Sequence, residues 1–386
     1  MNPDAHLPFP RIVMIQTTSR CNSGCIMCPW VDTAHRQPQG RMDDALYDKI
    51  LAEVARHPEI ELAMPYLMND PLLDPDLVPR IDRLKDAAPQ AQVYFLTNGA
   101  ALNDDLTERL LASKLDWVGF SIHAIRPETY RQITGRKDGE AIVRKIGDFV
   151  RRAQAAKKHP HYVMVTITRM RPYVSAEEVE ELKGHFRDLG VDPIDYSDGY
   201  VSRAGNVEVF GESRVHRPRM VGCKVVWAYK IASILFNGDM VPCCMDWSRE
   251  VVWGNLRHES IEAIWTGAAR RRFLDAIHSG KPLPPGCLCS RCEDAIPARP
   301  ERRADAPPAD EARPPDERAL LRELETLLDE PPASPAQSSR PDAPPPDMAA
   351  TLAGLEARAR GLRERAAAFL DRQSRFVRDH LDPKRG

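Results

Sequence analysis

The stretch TTSRCNSGCIMCPW, residues 17–30, contains three of the nine cysteines of the chain. Cys21, Cys25 and Cys28 are separated by three residues and then by two. Thiolates are soft ligands that suit zinc, copper and iron–sulfur clusters. A structural zinc site has four protein ligands, and His35 could supply the fourth, so zinc is one interpretation. The sharper one is a 4Fe-4S cluster held by three thiolates, with one iron open to a further ligand.

The composition is that of a folded protein with a large buried core. The sequence has 386 residues, 42% of them hydrophobic, and a formal net charge of −2. This balance gives no overall basic field, which argues against nucleic acid and anionic membrane as partners. No apolar run approaches the ~20 residues of a membrane span, and the first twenty residues lack a signal-peptide stretch. We therefore predict a cytoplasmic protein, whose reduced cysteines are metal ligands or catalytic groups rather than disulfides.

Short β-rich runs alternate with amphipathic helical patterns between Arg11 and about Tyr200. Repeated strand–helix units imply a parallel sheet. Six units in about 190 residues fall short of the ~250 of a complete barrel, so we predict an α/β fold with a partial (β/α)6 TIM-like barrel. The chemistry then belongs at the carboxyl ends of the strands. The predicted strands are 12–17, 60–67, 92–97, 117–123, 162–168 and 194–197; helical patterns lie around 46–54, 106–111, 142–149 and 179–186, the last opened by Ser175 and Glu178 at capping-box spacing.

The pattern changes in the region that holds the other cysteines. The stretch KIASILFNGDMVPCCMDW, residues 230–247, predicts two strands joined by a tight turn at Asn237 and Gly238. A helical stretch follows, and then CLCSRC at residues 287–292. This hairpin-plus-helix unit is too small to be stable without a covalent or metal staple.

The sequence therefore divides into four predicted segments: the barrel over 1–210, the small second domain over 211–296, a Pro-rich linker over 297–347 and an amphipathic helix over 348–382. The linker composition is typical of disorder, apart from a short helical piece at 320–328. Apolar residues recur every seven positions in the last helix, at Leu355, Leu362, Phe369 and Phe376. It either docks a protein partner as a coiled coil or folds onto its own chain.

The spacing Cys21-x3-Cys25-x2-Cys28 directly after a first strand resembles the signature of the radical S-adenosylmethionine (SAM) superfamily. In that family the amino and carboxylate groups of SAM chelate the open iron. The resemblance implies that SAM supplies the ligand missing from the three cysteines. Met27 stands where the family often has an aromatic residue beside adenine, and a flexible thioether also packs there.

Further motifs at successive strand ends carry the same resemblance. In YLMNDPLLDP, residues 66–75, Asn69 and Asp70 occupy the place of the pair that holds the methionine amino group, with Asp for the usual Glu. FLTNGA with Asn98 matches the third strand end. FSIHAIRPETYRQITG with Ser121 and His123 matches the fourth, which in the family lies near the SAM carboxylate and ribose. A barrel histidine without a ligand is the alternative for His123.

The later cysteines resemble the auxiliary-cluster extension of the same family, the SPASM or twitch domain. Its shortened form binds one extra 4Fe-4S cluster, and the resemblance implies four ligands here: Cys223, Cys243, Cys289 and Cys292. Cys287 could replace Cys289, and a zinc ribbon is the alternative to a cluster.

Three further residues near this site are candidates for catalysis. Cys244 is either a small buried side chain or a hydrogen-atom donor to a substrate radical. Asp246 could act as a base and Arg203 as a substrate clamp, or each could make a structural ion pair.

The resemblance implies that an electron from a low-potential donor, such as flavodoxin or ferredoxin, leads to cleavage of SAM and formation of a 5′-deoxyadenosyl radical, which removes a hydrogen atom from the substrate. We expect oxidation of a small hydroxylated molecule such as an aminocyclitol, sugar or nucleoside. A peptide or protein maturase, with a peptide substrate, is the second hypothesis. A redox-neutral epimerase with Cys244 as donor is the third, and a non-catalytic iron–sulfur or zinc protein is the fourth.

Overall fold

The computed structural model describes residues 7–168, 173–195, 203–207, 216–225 and 227–298. All of these residues belong to one compact unit, Met1–Arg299. The predicted helix over 348–382 and nearly all of the predicted linker lie outside the described residues. Within the described residues, no helix is long and apolar enough to cross a membrane.

The first six strands form a parallel sheet in chain order, as the repeated strand–helix pattern predicts. Alternation of strands with helices gives this order because each crossover helix returns the chain to the same edge. The sheet stays open, so the predicted partial barrel is confirmed. Several strands are shorter than predicted, because their last residues leave the ladder and enter the loops that carry the site. The strands are β1 (Ile12–Ile15), β2 (Leu62–Met64), β3 (Gln92–Thr97), β4 (Trp117–Ser121), β5 (Val163–Ile167) and β6 (Ile194–Asp195).

The helices of the barrel bury their apolar faces against this sheet. The periodic patterns that predict four of them coincide with α2, α4, α6 and α7 below. The helices are α1 (Trp30–Thr33), α2 (Asp44–Val54), α3 (Leu77–Ala87), α4 (Asp104–Ala112), α5 (Pro127–Thr134), α6 (Gly139–Ala155) and α7 (Ala176–Asp188).

The predicted hairpin is present, but it does not form a sheet of its own. Strand β8 (Ile231–Ile234) pairs in parallel with β1, and β9 (Asp239–Val241) returns antiparallel to β8 through a turn in which Gly238 has φ +97°. The sheet therefore has nine strands in the order β10-β9-β8-β1-β2-β3-β4-β5-β6, where β10 is Gly254–Asn255. The hairpin predicted for a separate second domain thus extends the barrel sheet.

The remaining elements surround the later cysteines. Strands β7 (Met220–Cys223) and β11 (Ala295–Pro297) form a two-stranded antiparallel sheet. The helices are α8 (Trp227–Lys230), α9 (Ile261–Trp265) and α10 (Ala268–His278), and a 3-10 turn spans Leu288–Arg291.

The predicted capping box at the start of α7 is only half correct. The Ser175 hydroxyl accepts a hydrogen bond from the Glu178 backbone N–H at 3.1 Å, as predicted. The Glu178 carboxylate instead accepts from the backbone N–H groups of Ile125 and Arg126, at 3.0 and 2.9 Å. It satisfies the two backbone donors directly before α5, at the N-cap residue Arg126 and the residue preceding it. Glu178 therefore joins α7 to the helix on which the cysteine loop rests.

A buried ion pair holds the chain at the carboxyl end of β1. Arg80 and Asp74 are 1% and 3% exposed, and Arg80 Nη1 lies 3.0 Å from Asp74 Oδ2. The same guanidinium donates to the carbonyl oxygens of Thr17 and Met42, at 3.4 and 2.5 Å. Because Thr17 opens the cysteine loop, this pair connects the fold to the site.

Replacement of Arg80 by Met should lower the free energy of unfolding by about 3–5 kcal/mol, because the buried Asp74 would lose its buried partner and keep only the exposed Arg41, at 3.8 Å. Denaturant titration followed by circular dichroism measures the loss. Arg83→Met is the matched control: its pair with Asp48 is exposed, so its loss should stay below about 1 kcal/mol. Equal losses in the two variants would contradict the role assigned to the buried pair.

Candidate active site

The three-cysteine loop (residues 18–29) lies directly after β1, at the carboxyl edge of the sheet. Its backbone rests on the end of α5: the Gly24 N–H donates to Thr134 O at 2.8 Å, and the Ile26 N–H donates to Ile133 O at 2.9 Å. These carbonyls belong to the last turn of the helix and have no intrahelical donor. The loop therefore uses its backbone amides to attach itself to the barrel.

The three thiols of this loop are half-buried and free of disulfide bonds. Burial, together with the negative charges of the neighbouring thiolates and of Asp70, raises the pKa of Cys21 and of Cys25 to about 12. Three thiolates at this spacing therefore need a positive partner, and the irons of a cluster would supply it. Among the described residues, no three His, Cys, Asp or Glu side chains converge as ligands of a single ion would. A cluster binds each thiolate through a different iron, which suits the spacing here.

A hydrogen-bonded network braces the loop from the second and third strand ends. Asn98 Nδ2 donates to Asn22 Oδ1 at 2.8 Å and to Ser23 Oγ at 3.1 Å. The Asp70 carboxylate in turn accepts from the Asn98 backbone N–H at 3.0 Å and from Thr97 Oγ1 at 2.9 Å. Asn98 thus contacts the loop directly. Its position at the third strand end predicts a residue near the site, but not these two hydrogen bonds.

Asp70 is 2% exposed, and burial raises its pKa although hydrogen bonds from the protein oppose this. A third donor, the Leu72 N–H, lies 3.0 Å from its Oδ1. Its carboxylate is therefore largely engaged by the protein itself. Beside it, the buried Nδ2 of Asn69 has no hydrogen-bond partner among the described residues, while Asn69 Oδ1 accepts from Leu67 N–H at 2.7 Å. The orphaned amide is a donor that a bound ligand could use.

The fourth strand end presents a neutral histidine. His123 Nδ1 accepts from the Thr168 backbone N–H at 3.2 Å, so in the neutral ring the proton is on Nε2. Burial and the charge of Arg203 lower the pKa of His123 to about 4. Ser121 Oγ lies 3.3 Å from Thr166 Oγ1 on the neighbouring strand. The imidazole therefore offers a hydrogen-bond donor at neutral pH.

Arg203 stands in an unusual left-handed turn. Arg203, Ala204 and Gly205 have φ values of +53°, +56° and +70°. The turn is held by Asn206, whose Nδ2 donates to Arg203 O at 2.6 Å and to Met245 O at 3.0 Å. Non-glycine residues in this conformation are strained, and such strain clusters at functional sites.

The charge of the Arg203 guanidinium acts on thiols in two parts of the site. Burial raises the pKa of Cys28 in the three-cysteine loop and that of Cys244 after β9, and the charge of Arg203 opposes both increases. It also acts on His123. No carboxylate among the described residues forms an ion pair with this half-buried arginine. Arg203, predicted as a substrate clamp, thus acts on three other site residues: Cys28, His123 and Cys244.

The predicted auxiliary ligands come from three separate elements. Cys223 ends β7, Cys243 follows β9, and Cys289 and Cys292 belong to the 3-10 turn and its end. Cys243, Cys289 and Cys292 pack together around Met245 and Leu288. Burial raises the pKa of Cys292, and the charge of Cys223 adds to the increase, so the fourth predicted ligand acts electrostatically on this group.

Cys287 lies beside this set and forms a hydrogen bond with Cys289. It is 7% exposed and belongs to the main hydrophobic core. The hydrogen bond with Cys287 and burial raise the pKa of Cys289, and that bond lowers the pKa of Cys287 to about 7. Cys289 packs with Cys243 and Cys292 whereas Cys287 belongs to the main core, and the choice of ligand between the two stays a prediction.

Cys244 and Asp246, two of the predicted catalytic residues, differ in whether the protein already engages their side chains in hydrogen bonds. Burial raises the pKa of Cys244 to about 12, so it is a neutral thiol that keeps its S–H bond. It packs against the apolar cluster that β1, β2, β8 and β9 share. Asp246 is 1% exposed, burial raises its pKa to about 6, and its oxygens accept from the N–H groups of Glu250 and Val251 at 2.8 and 3.0 Å. Asp246 therefore already stabilises a turn, and its role as a base stays a prediction.

A chain of hydrogen bonds that the sequence does not reveal supports Cys223. Its backbone N–H donates to Tyr229 Oη at 3.1 Å, and Tyr229 Oη lies 3.0 Å from His278 Nε2. His278 Nδ1 lies 2.8 Å from Leu274 O, so it carries the proton, and Nε2 accepts from the tyrosine. The tyrosine thereby fixes the strand end that carries Cys223.

Replacement of Tyr229 by Phe should loosen this strand end, because the Cys223 N–H and His278 would lose their shared partner. We expect the variant to retain less iron at the second cysteine set after gel filtration, while the three-cysteine loop keeps its iron. Tyr162→Phe is the matched control, since it removes one buried hydrogen bond, to Leu110 O at 3.0 Å, far from both sets. Iron content per chain and the melting temperature are measured for both variants. Iron loss in Tyr162→Phe equal to that in Tyr229→Phe would show a general effect of stability.

Comparison with known proteins agrees with this geometry. Residues 15–183 match the radical SAM superfamily, and residues 223–293 match an iron–sulfur cluster-binding domain, SPASM. A tungsten-containing aldehyde ferredoxin oxidoreductase cofactor-modifying protein of Pyrococcus furiosus is 22% identical over 297 residues, 66% of this chain and 81% of that protein. An S-adenosyl-L-methionine-dependent 2-deoxy-scyllo-inosamine dehydrogenase of Niallia circulans is 22% identical over 286 residues, 73% of this chain and 92% of that protein.

Among solved structures, Streptococcus suis SuiB bound to its precursor peptide SuiA has a similar fold. Its TM-score is 0.55 at 14% identity, over 74% of this chain and 70% of that one. The radical SAM domain implies a 4Fe-4S cluster and SAM, and the SPASM domain implies auxiliary iron–sulfur binding. The chain belongs to the radical SAM superfamily, as an iron–sulfur, SAM-dependent oxidoreductase with a SPASM-type domain after its partial barrel.

Proposed function

We propose that this enzyme oxidises a small hydroxylated molecule, such as an aminocyclitol, sugar or nucleoside, by two electrons. The position of Arg203 carries this proposal. One guanidinium acts electrostatically on Cys28 of the three-cysteine loop, on His123 and on Cys244. A substrate held by Arg203 would therefore lie near the three-cysteine loop and near Cys244, which directly follows the predicted auxiliary ligand Cys243.

Oxidation of an alcohol to a ketone removes one hydrogen atom from carbon, one proton from the hydroxyl group and one further electron. When bound, SAM and its cluster supply the 5′-deoxyadenosyl radical for the first loss, and the auxiliary cluster supplies an acceptor for the last electron. The protein must hold the hydroxylated carbon and keep water away from it. Arg203 can donate two parallel hydrogen bonds to vicinal oxygens, and His123 can donate one from Nε2.

A relative supports this reaction class. The Niallia circulans protein is named as a SAM-dependent dehydrogenase of 2-deoxy-scyllo-inosamine, and the match extends over 92% of its length. A low-potential protein such as flavodoxin or ferredoxin is the proposed electron donor. We also propose a cytoplasmic location, in which the cysteines would stay reduced and free to bind clusters.

A second candidate is a peptide or protein maturase. Its support is the shared fold with SuiB, which was solved with a precursor peptide. Redox-neutral epimerisation is the third, because the buried neutral thiol of Cys244 could return a hydrogen atom to a substrate radical. The experiments below separate the three.

Iron content tests the cluster assignment. Anaerobically reconstituted protein should hold about eight irons per chain, and the Cys21→Ala/Cys25→Ala/Cys28→Ala variant about four, since each 4Fe-4S cluster depends on its own thiolates. Cys244→Ala is the control, because it alters a cysteine that is not a predicted ligand and should keep about eight. About four irons that fall to none would leave zinc or nothing at the second set and remove the electron acceptor.

Isotope transfer tests the reaction. With dithionite, SAM and 2-deoxy-scyllo-inosamine deuterated at its carbinol carbons, we expect one deuterium in 5′-deoxyadenosine for each ketone formed. The same assay with deuterated sugars and nucleosides covers the other substrates. Cys244→Ala should still oxidise, because the thiol has no part in a net oxidation.

Other outcomes point to the other candidates. Solvent deuterium in an unoxidised product, lost in Cys244→Ala, would establish epimerisation. Turnover of a peptide alone would establish a maturase.

A further inference from the structure

Arg136 lies directly beyond the end of α5 and contacts the three-cysteine loop. Its Nη1 donates to Asn22 O, between Cys21 and Cys25, at 2.5 Å. The other edge of the guanidinium binds Asp138 through two hydrogen bonds, at 2.9 and 2.7 Å. The side chain is 22% exposed, so the contact is partly shielded from solvent. Asp138 thus orients the guanidinium, and the guanidinium reaches the loop.

The backbone at the end of α5 restricts where Arg136 can lie relative to the three-cysteine loop. Gly135 ends α5 with φ +71°, a conformation that favours glycine, and its own N–H donates to Arg131 O. A Cβ there would lie 3.7 Å from Gly24 O, so the loop and the helix end are already in close approach. The turn therefore places Arg136 on the side of the loop that carries Cys21 and Cys25.

The surroundings of these two cysteines are otherwise negative. The last turn of α5 contributes the negative end of the helix dipole. The buried Asp70 is joined to the loop through Asn98, whose backbone N–H it binds and whose side chain binds Asn22 and Ser23. Burial raises the pKa of Asp70, and the charge of Arg136 opposes that increase. A cluster that gains an electron adds one more negative charge at this place.

We propose that Arg136 is a positioning residue for the SAM-binding cluster: it fixes the segment between Cys21 and Cys25 through Asn22 O, and its positive charge favours the reduced cluster. The electron itself comes from the low-potential donor, and no bond to Arg136 changes. The inference rests on the family's cluster at this loop and is independent of the proposed substrate. Its failure would leave the proposed oxidation untouched.

Two variants separate the two parts of this role. Arg136→Gln removes the charge, and Arg136→Lys keeps the charge but loses the fork that binds Asn22 O and Asp138 together. Arg131→Gln is the matched control, since Arg131 lies on the same helix in an exposed pair with Glu128. The SAM-binding cluster is identified as the species whose EPR spectrum changes when SAM is added.

Redox titration by EPR gives the first result. At a fixed potential near the wild-type midpoint, the ratio of reduced to oxidised cluster should fall roughly 3- to 10-fold in Arg136→Gln, by the loss of one partly screened charge. It should stay within about twofold of wild type in Arg136→Lys and Arg131→Gln, in which no charge near the loop is lost. An unchanged ratio in Arg136→Gln, or an equal fall in Arg131→Gln, would overturn the electrostatic part.

Hydrogen exchange on the full chain before reconstitution gives the second result. The amides of Gly24 and Ile26 should exchange several-fold faster in both Arg136 variants than in wild type or Arg131→Gln, because the loop loses its brace. Exchange at the wild-type rate in both would overturn the positioning part. This measurement needs no bound cluster, so it decides that part even for a variant that fails to take up iron.

Discussion

The parallel pairing of β1 with β8 is the contact on which both cysteine sets depend. Residues Ile12–Ile15 lie beside Ile231–Ile234, and every residue of both strands is buried. Backbone N–H and C=O groups in such a place must be paired, so the register is strongly constrained. β1 runs on into the three-cysteine loop, and β8 runs on through the hairpin to Cys243. One ladder therefore fixes the start of the three-cysteine loop relative to the hairpin that leads to Cys243.

The second constraint on the site is the burial of several negatively charged groups close together. Thiolates, the buried Asp70 and the end of α5 all lie at one edge of the sheet, and each makes the next negative charge less favourable. Two arginines oppose this negative charge, each at different cysteines. Arg136 acts on Cys25, and Arg203 acts on Cys28 and Cys244. Because each guanidinium stays charged at any physiological pH, neither influence depends on titration.

Much of the fold follows from local pattern. The six parallel strands, four of the helices and the turn at Gly238 are predicted because hydrophobic period and turn chemistry involve residues close in the chain. The same holds for the three-cysteine motif. Pairing of β8 with β1 joins residues more than two hundred positions apart, and no local pattern encodes it.

The missed site residues share this feature. Arg136 contacts a loop 114 positions away, Glu178 caps a helix more than fifty positions away, and Tyr229 meets His278 across 49 positions. Each is an ordinary residue in its local context. Glu178 even has a convincing local explanation, the capping box, which the structure replaces with a contact to α5. Side chains that brace a site are chosen by the fold, so they become visible only once it is known.

The turn at Arg203 has a strained backbone, which lowers stability but sets the direction of the Arg203 side chain. Two successive non-glycine residues with positive φ cost of order 1–3 kcal/mol each. Asn206 holds the turn through three hydrogen bonds, to Arg203 O, Met245 O and Ser248, which offset part of that cost. A relaxed loop would be more stable but would direct the guanidinium elsewhere. The strained backbone therefore holds the guanidinium where its charge acts on both Cys28 and Cys244.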